Sequence, residues 1–358
     1  MGWLLIVALA LILALFFAGS IIARRTFVGE YFDETHYFNA ADGWTLAIHR
    51  YKPKRKRFKE PVILCHGLGA NRFNFDLEEL SLARYLRDRG FDVFIVELRG
   101  IGYSAKRSLT AHDRFDWGYD DFAGKDIPAI IDKALEVSGA ERALWVGHSM
   151  GGMLAYASFS NPEVAKKVAG AVAIASPASF HHMRRLGRML PKLKWLVELI
   201  PAIHVDVIVR FWIPLVGLAL PRVLTAVYNP RYMDRGTLRR AAARLLVPIS
   251  TRLLYQFGQW VYTGEFKSEE RDYCGELEKV RLPFLLLAGR NDLLAPPDSV
   301  RVAYEKLGSP DKTYFCFGED DRTCRFGHGD IVLSQKAKEQ VYPMVADWLE
   351  KRATRTKR

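Results

Sequence analysis

Hydrophobic positions fall into three regimes along this chain. Residues 2–22, GWLLIVALALILALFFAGSII, run without a single charge. Twenty-one such residues suffice for a helix to cross a hydrocarbon layer about 30 Å thick. From Tyr37 onward, short apolar runs of strand length alternate with stretches of helical periodicity. Two alternating runs around Asp42-Gly43 predict a β-hairpin. PVILCHG (61–67), FDVFIVELRG (91–100), ERALWVGHS (141–149), AGAVAIASP (169–177), PFLLLAGRND (283–292) and KTYFCFG (312–318) predict buried strands. Between them, helices are predicted over 73–90 with Gly90 as C-cap, over 120–139, over 151–160, and over 336–352 with a bend at Pro343. Strand and helix alternate, so the expected architecture is α/β, a mostly parallel central sheet flanked by helices.

The third regime is 178–275, where apolar segments are broken by Pro201, Pro214 and Pro221. A structureless loop of that length is foreign to a compact domain, so a helical cap over the C-terminal edge of the sheet is predicted. Its supply of large apolar side chains includes Phe180, Trp195, Phe211, Trp212, Leu215, Leu218, Leu220, Tyr255, Phe257 and Trp260. The expected organisation is an anchor over 1–24, core over 25–177 and 276–352, the cap between them, and a basic tail over 353–358.

Composition adds limits. The 358 residues are 49% hydrophobic and 26% charged, which excludes global disorder, a collagen-like repeat and a polytopic membrane protein. Lys and Arg total 52 against 40 Asp and Glu, a formal charge of +12. Part of the excess is local: seven of the ten residues 50–59 are basic, and Lys351, Arg352, Arg355, Lys357 and Arg358 close the chain. Such clusters serve as solvated faces or contacts for anionic headgroups sooner than as a nucleic-acid site. Arg24 and Arg25 follow the apolar stretch and only the α-amino group precedes it. The charge bias therefore predicts a retained single-pass anchor at the cell membrane, with the body on the cytoplasmic face. The alternative is export after signal-peptide cleavage near Ala18-Gly19-Ser20, but a basic n-region is missing. Cys65, Cys274, Cys316 and Cys324 form neither a disulfide scaffold nor a zinc-binding C-x-x-C pair. A bridge between Cys316 and Cys324 would favour export.

The strongest chemical signal is Gly147-His148-Ser149-Met150-Gly151, lying between the apolar run ALWV and the helical run MLAYASF. A sharp strand-to-helix turn needs glycines on either side so that the backbone can approach closely, and it lifts the serine hydroxyl clear of the sheet. Ser149 is the expected nucleophile. A serine needs a base and an orienting acid. Asp292, directly after the strand FLLLAG, is the leading acid, with Asp298, Asp320 and Asp321 behind it. His328, flanked by Gly327 and Gly329 before the closing helix, is the expected base, ahead of His66, His148, His181, His182 and His204. The oxyanion donors are expected to be the backbone N–H groups of Met150 and of Leu68 in His66-Gly67-Leu68-Gly69. This machinery needs neither metal nor organic cofactor, and no His, Cys, Asp or Glu set has ligand spacing.

The stretches ADGWTLAIHR, CHGLGANRFNFD, SLARYLRDRGFDVFIVELRGIGYS, DIPAIIDKALEVSG, LWVGHSMGG and GRNDLLAPP resemble the α/β-hydrolase superfamily, and within it the acid lipase and cholesteryl esterase family. The likeness is dense from Asp42 to about Ser160 and resumes from about Pro283 to Leu349. It implies an α/β-hydrolase fold and a serine ester hydrolase, with Ser149, Asp292 and His328 as the triad and Leu68 and Met150 as oxyanion donors. The polyhydroxyalkanoate synthases also resemble this frame, through GHGDIVLSQKAKEQVYPMVADWL, but they carry cysteine where Ser149 stands. The expected function is a membrane-tethered hydrolase of apolar or lipid-like carboxylic esters. The alternatives are acyl transfer on the same machinery and a non-catalytic binding protein of the same fold.

Overall fold

In the computed structural model, residues 2–104, 115–183, 200–210, 212–215, 228, 229 and 231–356 are described. Eight strands make the central sheet: β1 (Glu34–Asn39), β2 (Thr45–Tyr51), β3 (Val62–Cys65), β4 (Val93–Glu97), β5 (Ala143–His148), β6 (Val168–Ile174), β7 (Phe284–Gly289) and β8 (Lys312–Phe317). Their spatial order is β1-β2-β4-β3-β5-β6-β7-β8. The hairpin β1–β2 turns at Gly43 and pairs Glu34 with Arg50. Strand β2 also runs antiparallel to β4, while the remaining pairs are parallel. Strands β3 to β7 are buried along their whole length. Covering on both faces explains why their sequences are continuous apolar runs rather than alternating ones.

The α-helices of six residues or more are α1 (Gly2–Arg25), α2 (Leu82–Asp88), α3 (Ile127–Ser138), α4 (Met150–Ser158), α5 (Val205–Arg210), α6 (Arg235–Arg244), α7 (Thr251–Thr263), α8 (Pro297–Lys306) and α9 (Gln335–Glu350), among the described residues. Helix α9 runs on through Pro343. The helix expected over 73–90 is a correction: only α2 forms there. Before it, the chain makes a 3-10 turn at Arg72–Asn74 and two paired short strands, Asp76–Leu77 and Leu80–Ser81. A distant contact overrides the helical periodicity. The Glu78 carboxylate accepts the Gly29 N–H and the Tyr31 hydroxyl, each at 2.6 Å, at a backbone φ of 51°. Ser81 then caps α2 by accepting the Arg84 N–H.

Within 178–275 the described residues are mainly helical. Helices α5, α6 and α7 accompany one short strand pair, Ala202–Ile203 with Ile249–Ser250. Trp195, Phe211, Leu218 and Leu220 lie outside the described residues. This region is tied to the loop after β3, because Val247 N–H donates to the Gly69 carbonyl at 3.0 Å.

Helix α1 is present as the apolar stretch predicts. Among the described residues no helix is long and apolar enough to cross a membrane; the side chains of Gly2, Leu4, Leu5, Ala8 and Leu9 lie outside that description. Toward its C-terminus α1 packs on α5, on α6 and on the 3-10 turn Ile213–Leu215. The basic block 50–59 leads into the N-terminal end of β3, whereas Ser149 follows the C-terminal end of the parallel strand β5. The block therefore lies at the opposite edge of the sheet from Ser149.

Candidate active site

The turn between β5 and α4 is as tight as its glycines suggested. Ser149 sits at φ 53° and ψ −119°, a strained backbone for any residue with a Cβ. A Cβ on Gly147 would lie 2.2 Å from the Gly151 carbonyl carbon, and one on Gly151 would lie 2.1 Å from the Cys65 carbonyl oxygen. Neither position has room for any other residue. The Ser149 N–H donates to the Ile174 carbonyl at 2.8 Å, which ties the turn to β6.

Two loops from distant parts of the chain meet the serine hydroxyl. His328 Nε2 lies 2.9 Å from Ser149 Oγ, and His328 Nδ1 lies 2.8 Å from Asp292 Oδ2. The other carboxylate oxygen of Asp292 accepts the N–H groups of Leu294 and Ala295, both at 2.8 Å. Asp292 is 1% exposed, so its charge is oriented by fixed dipoles instead of water. The competing aspartates Asp298, Asp320 and Asp321 are all exposed, as are His181, His182 and His204. Leu68 lines the same cavity as Ser149, and Met150 is the first residue of α4.

His66 and His148 are buried near the serine but serve other ends. His66 Nδ1–H donates to the Gly67 carbonyl at 2.9 Å, shaping the turn after β3. His148 Nε2–H donates to the His328 carbonyl at 2.9 Å, and its Nδ1 lies 3.0 Å from the Asn74 amide. Asn74 in turn accepts the Gly67 N–H at 3.1 Å. Burial and the neighbouring His328 push the His148 pKa down to about 3, so its ring is neutral at physiological pH. The single N–H of the neutral His148 ring thus braces the loop carrying His328, with Asn74 packed against its other nitrogen.

Asp330 is a residue that sequence reasoning passed over. It is fully buried, and its two oxygens accept the Gly327 N–H at 2.9 Å and the Asn229 N–H at 2.7 Å. Burial raises its pKa to about 6. Asp330 thereby joins the His328 loop to the stretch of chain holding Tyr228, which lines the cavity. Its place two residues after His328 in GHGD was the available signal; nothing in the sequence announced its burial.

The cavity over Ser149 measures about 500 Å³. Its walls are chiefly apolar: Met153 from α4, Phe180, Leu246, and Leu254, Phe257 and Val261 from α7. The remaining cap aromatics divide between core and surface. Trp260 is buried instead in an aromatic cluster, 4.6 Å from Phe257, 4.9 Å from Phe266 and 5.0 Å from Tyr119 by ring centroids. Trp212 is exposed. All four cysteines are free thiols, Cys316 and Cys324 included.

Residues 60–202 match the family described as alpha/beta hydrolase fold. Human lipase member M is 26% identical over 309 residues, covering 74% of this chain and 72% of its own length. Human lysosomal acid lipase/cholesteryl ester hydrolase is 34% identical over 171 residues, 44% of this chain and 43% of that protein. Among solved structures, a soluble variant of monoglyceride lipase from Saccharomyces cerevisiae superposes with a TM-score of 0.61 at 18% identity, over 92% of this chain and 97% of the other. Likeness of sequence runs through the turn that bears Ser149, and likeness of fold extends over nearly the whole chain, so the protein has the α/β-hydrolase fold and the ester-hydrolase character of the lipases and esterases it resembles.

Proposed function

We propose that this protein hydrolyses carboxylic esters of apolar, lipid-like acids through an acyl-enzyme on Ser149, while α1 holds it at a membrane. The observation that carries the reading is the hydrogen-bonded series Asp292–His328–Ser149 opening onto an apolar cavity of about 500 Å³. That volume falls within the range of about 300–1,000 Å³ usual for ligand pockets.

In this mechanism Ser149 Oγ attacks the ester carbonyl as its proton passes to His328 Nε2. Asp292 keeps the Nδ1 proton facing it and stabilises the imidazolium. The oxyanion takes hydrogen bonds from the Leu68 and Met150 N–H groups. Collapse breaks the ester C–O bond, His328 gives its proton to the leaving alcohol, and water repeats the sequence to release the acid. The acyl chain lies against Phe257, Leu254 and Met153. Each methylene buried in a dry, fitting pocket contributes about 0.8 kcal/mol.

The tether rests on the uncharged stretch 2–22, and Arg24 and Arg25 favour a body on the cytoplasmic face. Packing of α1 on the cap supports a retained helix over a cleaved one.

The test is a series of p-nitrophenyl esters from acetyl to octanoyl, each below its aggregation limit, with a fluorophosphonate probe for Ser149. Specificity constants rising with chain length, and labelling lost in Ser149→Ala, are expected. Constants falling steadily from acetyl to octanoyl would overturn the lipid-directed reading. Labelling that persists in Ser149→Ala would overturn the nucleophile. Added alcohols that divert product into new esters would replace hydrolysis with acyl transfer.

A further inference from the structure

Among the described residues, no lysine, arginine, aspartate or glutamate lines the cavity over Ser149. Beyond Ser149 and His328, its polar side chains are those of Asn74, His148 and Tyr228. The Asn74 amide oxygen accepts the Gly67 N–H, and the His148 ring lies between Asn74 and the His328 carbonyl. Both serve the loops around the site. The Tyr228 hydroxyl, by contrast, has no hydrogen-bond partner among the described residues. A ligand that fills this cavity leaves that hydroxyl unpaired, at a cost, unless the ligand brings an oxygen to it.

Two contacts fix where Tyr228 stands. Asp330 accepts the N–H of the next residue, Asn229, at 2.7 Å. The Tyr228 ring itself packs on Gly329, the residue after His328. A Cβ on that glycine would lie 2.2 Å from Tyr228 Cε1 and 3.3 Å from Cζ, the carbon that bears the hydroxyl. Glycine at 329 thus leaves the space that the ring occupies. Burial and the nearby Asp330 carboxylate push the Tyr228 pKa up to about 12, so the hydroxyl keeps its proton and can both donate and accept.

The triad tells which part of a substrate lies there. His328 Nε2 takes the serine proton and returns it to the leaving oxygen, so the alcohol part of a bound ester must sit within reach of His328. Tyr228, packed on the very next residue, stands beside that alcohol. The acyl chain is met instead by the apolar side chains of α7 and by Met153.

We infer that the Tyr228 hydroxyl hydrogen-bonds a hydroxyl on the alcohol part of the substrate, so that the preferred ester is that of a neutral diol or polyol with a free hydroxyl beside the scissile bond. The inference rests on the ester-hydrolase reading above and names the alcohol, which that reading leaves open. A charged head group is disfavoured by the same wall, because a charge buried there meets no counter-charge. A purely hydrocarbon alcohol is disfavoured because it strands the Tyr228 hydroxyl.

The experiment uses the full-length chain and two soluble esters of one acid, glyceryl monobutyrate and propyl butyrate, which differ only in the hydroxyls of the alcohol. The parent should favour the glyceryl ester in kcat/KM. Tyr228→Phe keeps the ring on Gly329 and removes the hydroxyl. It should lower the ratio of the two specificity constants by about tenfold, the worth of one well-made hydrogen bond. The change in ratio decides, because the two alcohols also differ as leaving groups. Losses shared equally by both esters would mean that Tyr228 only packs against the His328 loop, and would overturn the inference. A parent that shows no preference for the glyceryl ester overturns it too, as does one that cleaves p-nitrophenyl butyrate but not glyceryl monobutyrate. In both of those cases the ester-hydrolase reading stands. A chain inert to all three esters defeats that reading and the inference with it.

Discussion

The corner around Ser149 and the cap above it are built on different physics. At the corner every functional group is held by directional bonds. Asp292 has three hydrogen-bond partners, His328 is held at both ring nitrogens, and Ser149 is fixed in a strained backbone. The cap wall is held by packing among Phe180, Phe257 and Trp260, whose contacts are apolar and weakly directional. Directional bonds fail when one atom changes, whereas packing responds in proportion to volume. Losses at the corner should therefore be abrupt, and those in the cap graded by substrate size.

The sharpest way to break this contrast is Ser149→Ala. Turnover should fall by about 10⁶-fold with circular dichroism unchanged; a loss of only tenfold would mean that the corner is not the reacting centre. Next comes Asp292→Asn, which leaves the geometry but favours the wrong His328 tautomer, for about 10⁴-fold in kcat. His148→Leu tests the corner at one remove. Losing the bond to the His328 carbonyl should cost about 10²-fold, in kcat more than in KM, because misplacement of the base by a fraction of an ångström is enough.

The cap should respond otherwise. Leu246→Trp would fill part of the cavity and lower kcat/KM for octanoyl relative to butyryl esters by about tenfold, given about 0.8 kcal/mol per methylene at stake. Equal losses on both esters would show that the cap wall, too, governs chemistry and not only fit.

The smallest expected effect is on stability with pH. An unfolded histidine takes its proton near pH 6.5, whereas His148 holds off until about pH 3. Between these values the unfolded chain binds the extra proton, so this contribution to stability is full above pH 6.5 and is lost as pH falls toward 3. Asp330 has the opposite sign. Its carboxyl, raised to about 6, stays protonated in the fold where the unfolded one ionises, so its contribution is lost as pH rises from about 4 to 6. Urea midpoints at pH 7 and pH 5 should show His148→Gln losing about 2 kcal/mol less than the parent over that interval.

Local signals carried far in this chain. Continuous apolar runs marked the buried strands because a parallel sheet covered on both faces demands them. Ser149 was legible because a turn with glycines two residues to either side leaves no alternative packing, and Asp292 because loops at the carboxyl ends of such strands lie on one edge. The helix expected over 73–90 was misread for a reason equally physical: Glu78 is bound by Gly29 and Tyr31, about fifty residues away, and no window of local periodicity contains them.

Most element types, the succession Ser149, Asp292, His328 at strand ends, and the apolar character of residues 2–22 were thus legible in the sequence, since each is read within a turn or a strand. Only the tertiary structure decided that His148 braces the His328 loop, that Asp330 is buried between that loop and the cap, that Trp260 packs away from the cavity while Phe257 lines it, and that α1 rests on the cap wall. Each of these depends on which surfaces meet after the chain has closed loops of tens to hundreds of residues. Burial, the quantity that sets both packing and pKa, is created by that closure and has no local code.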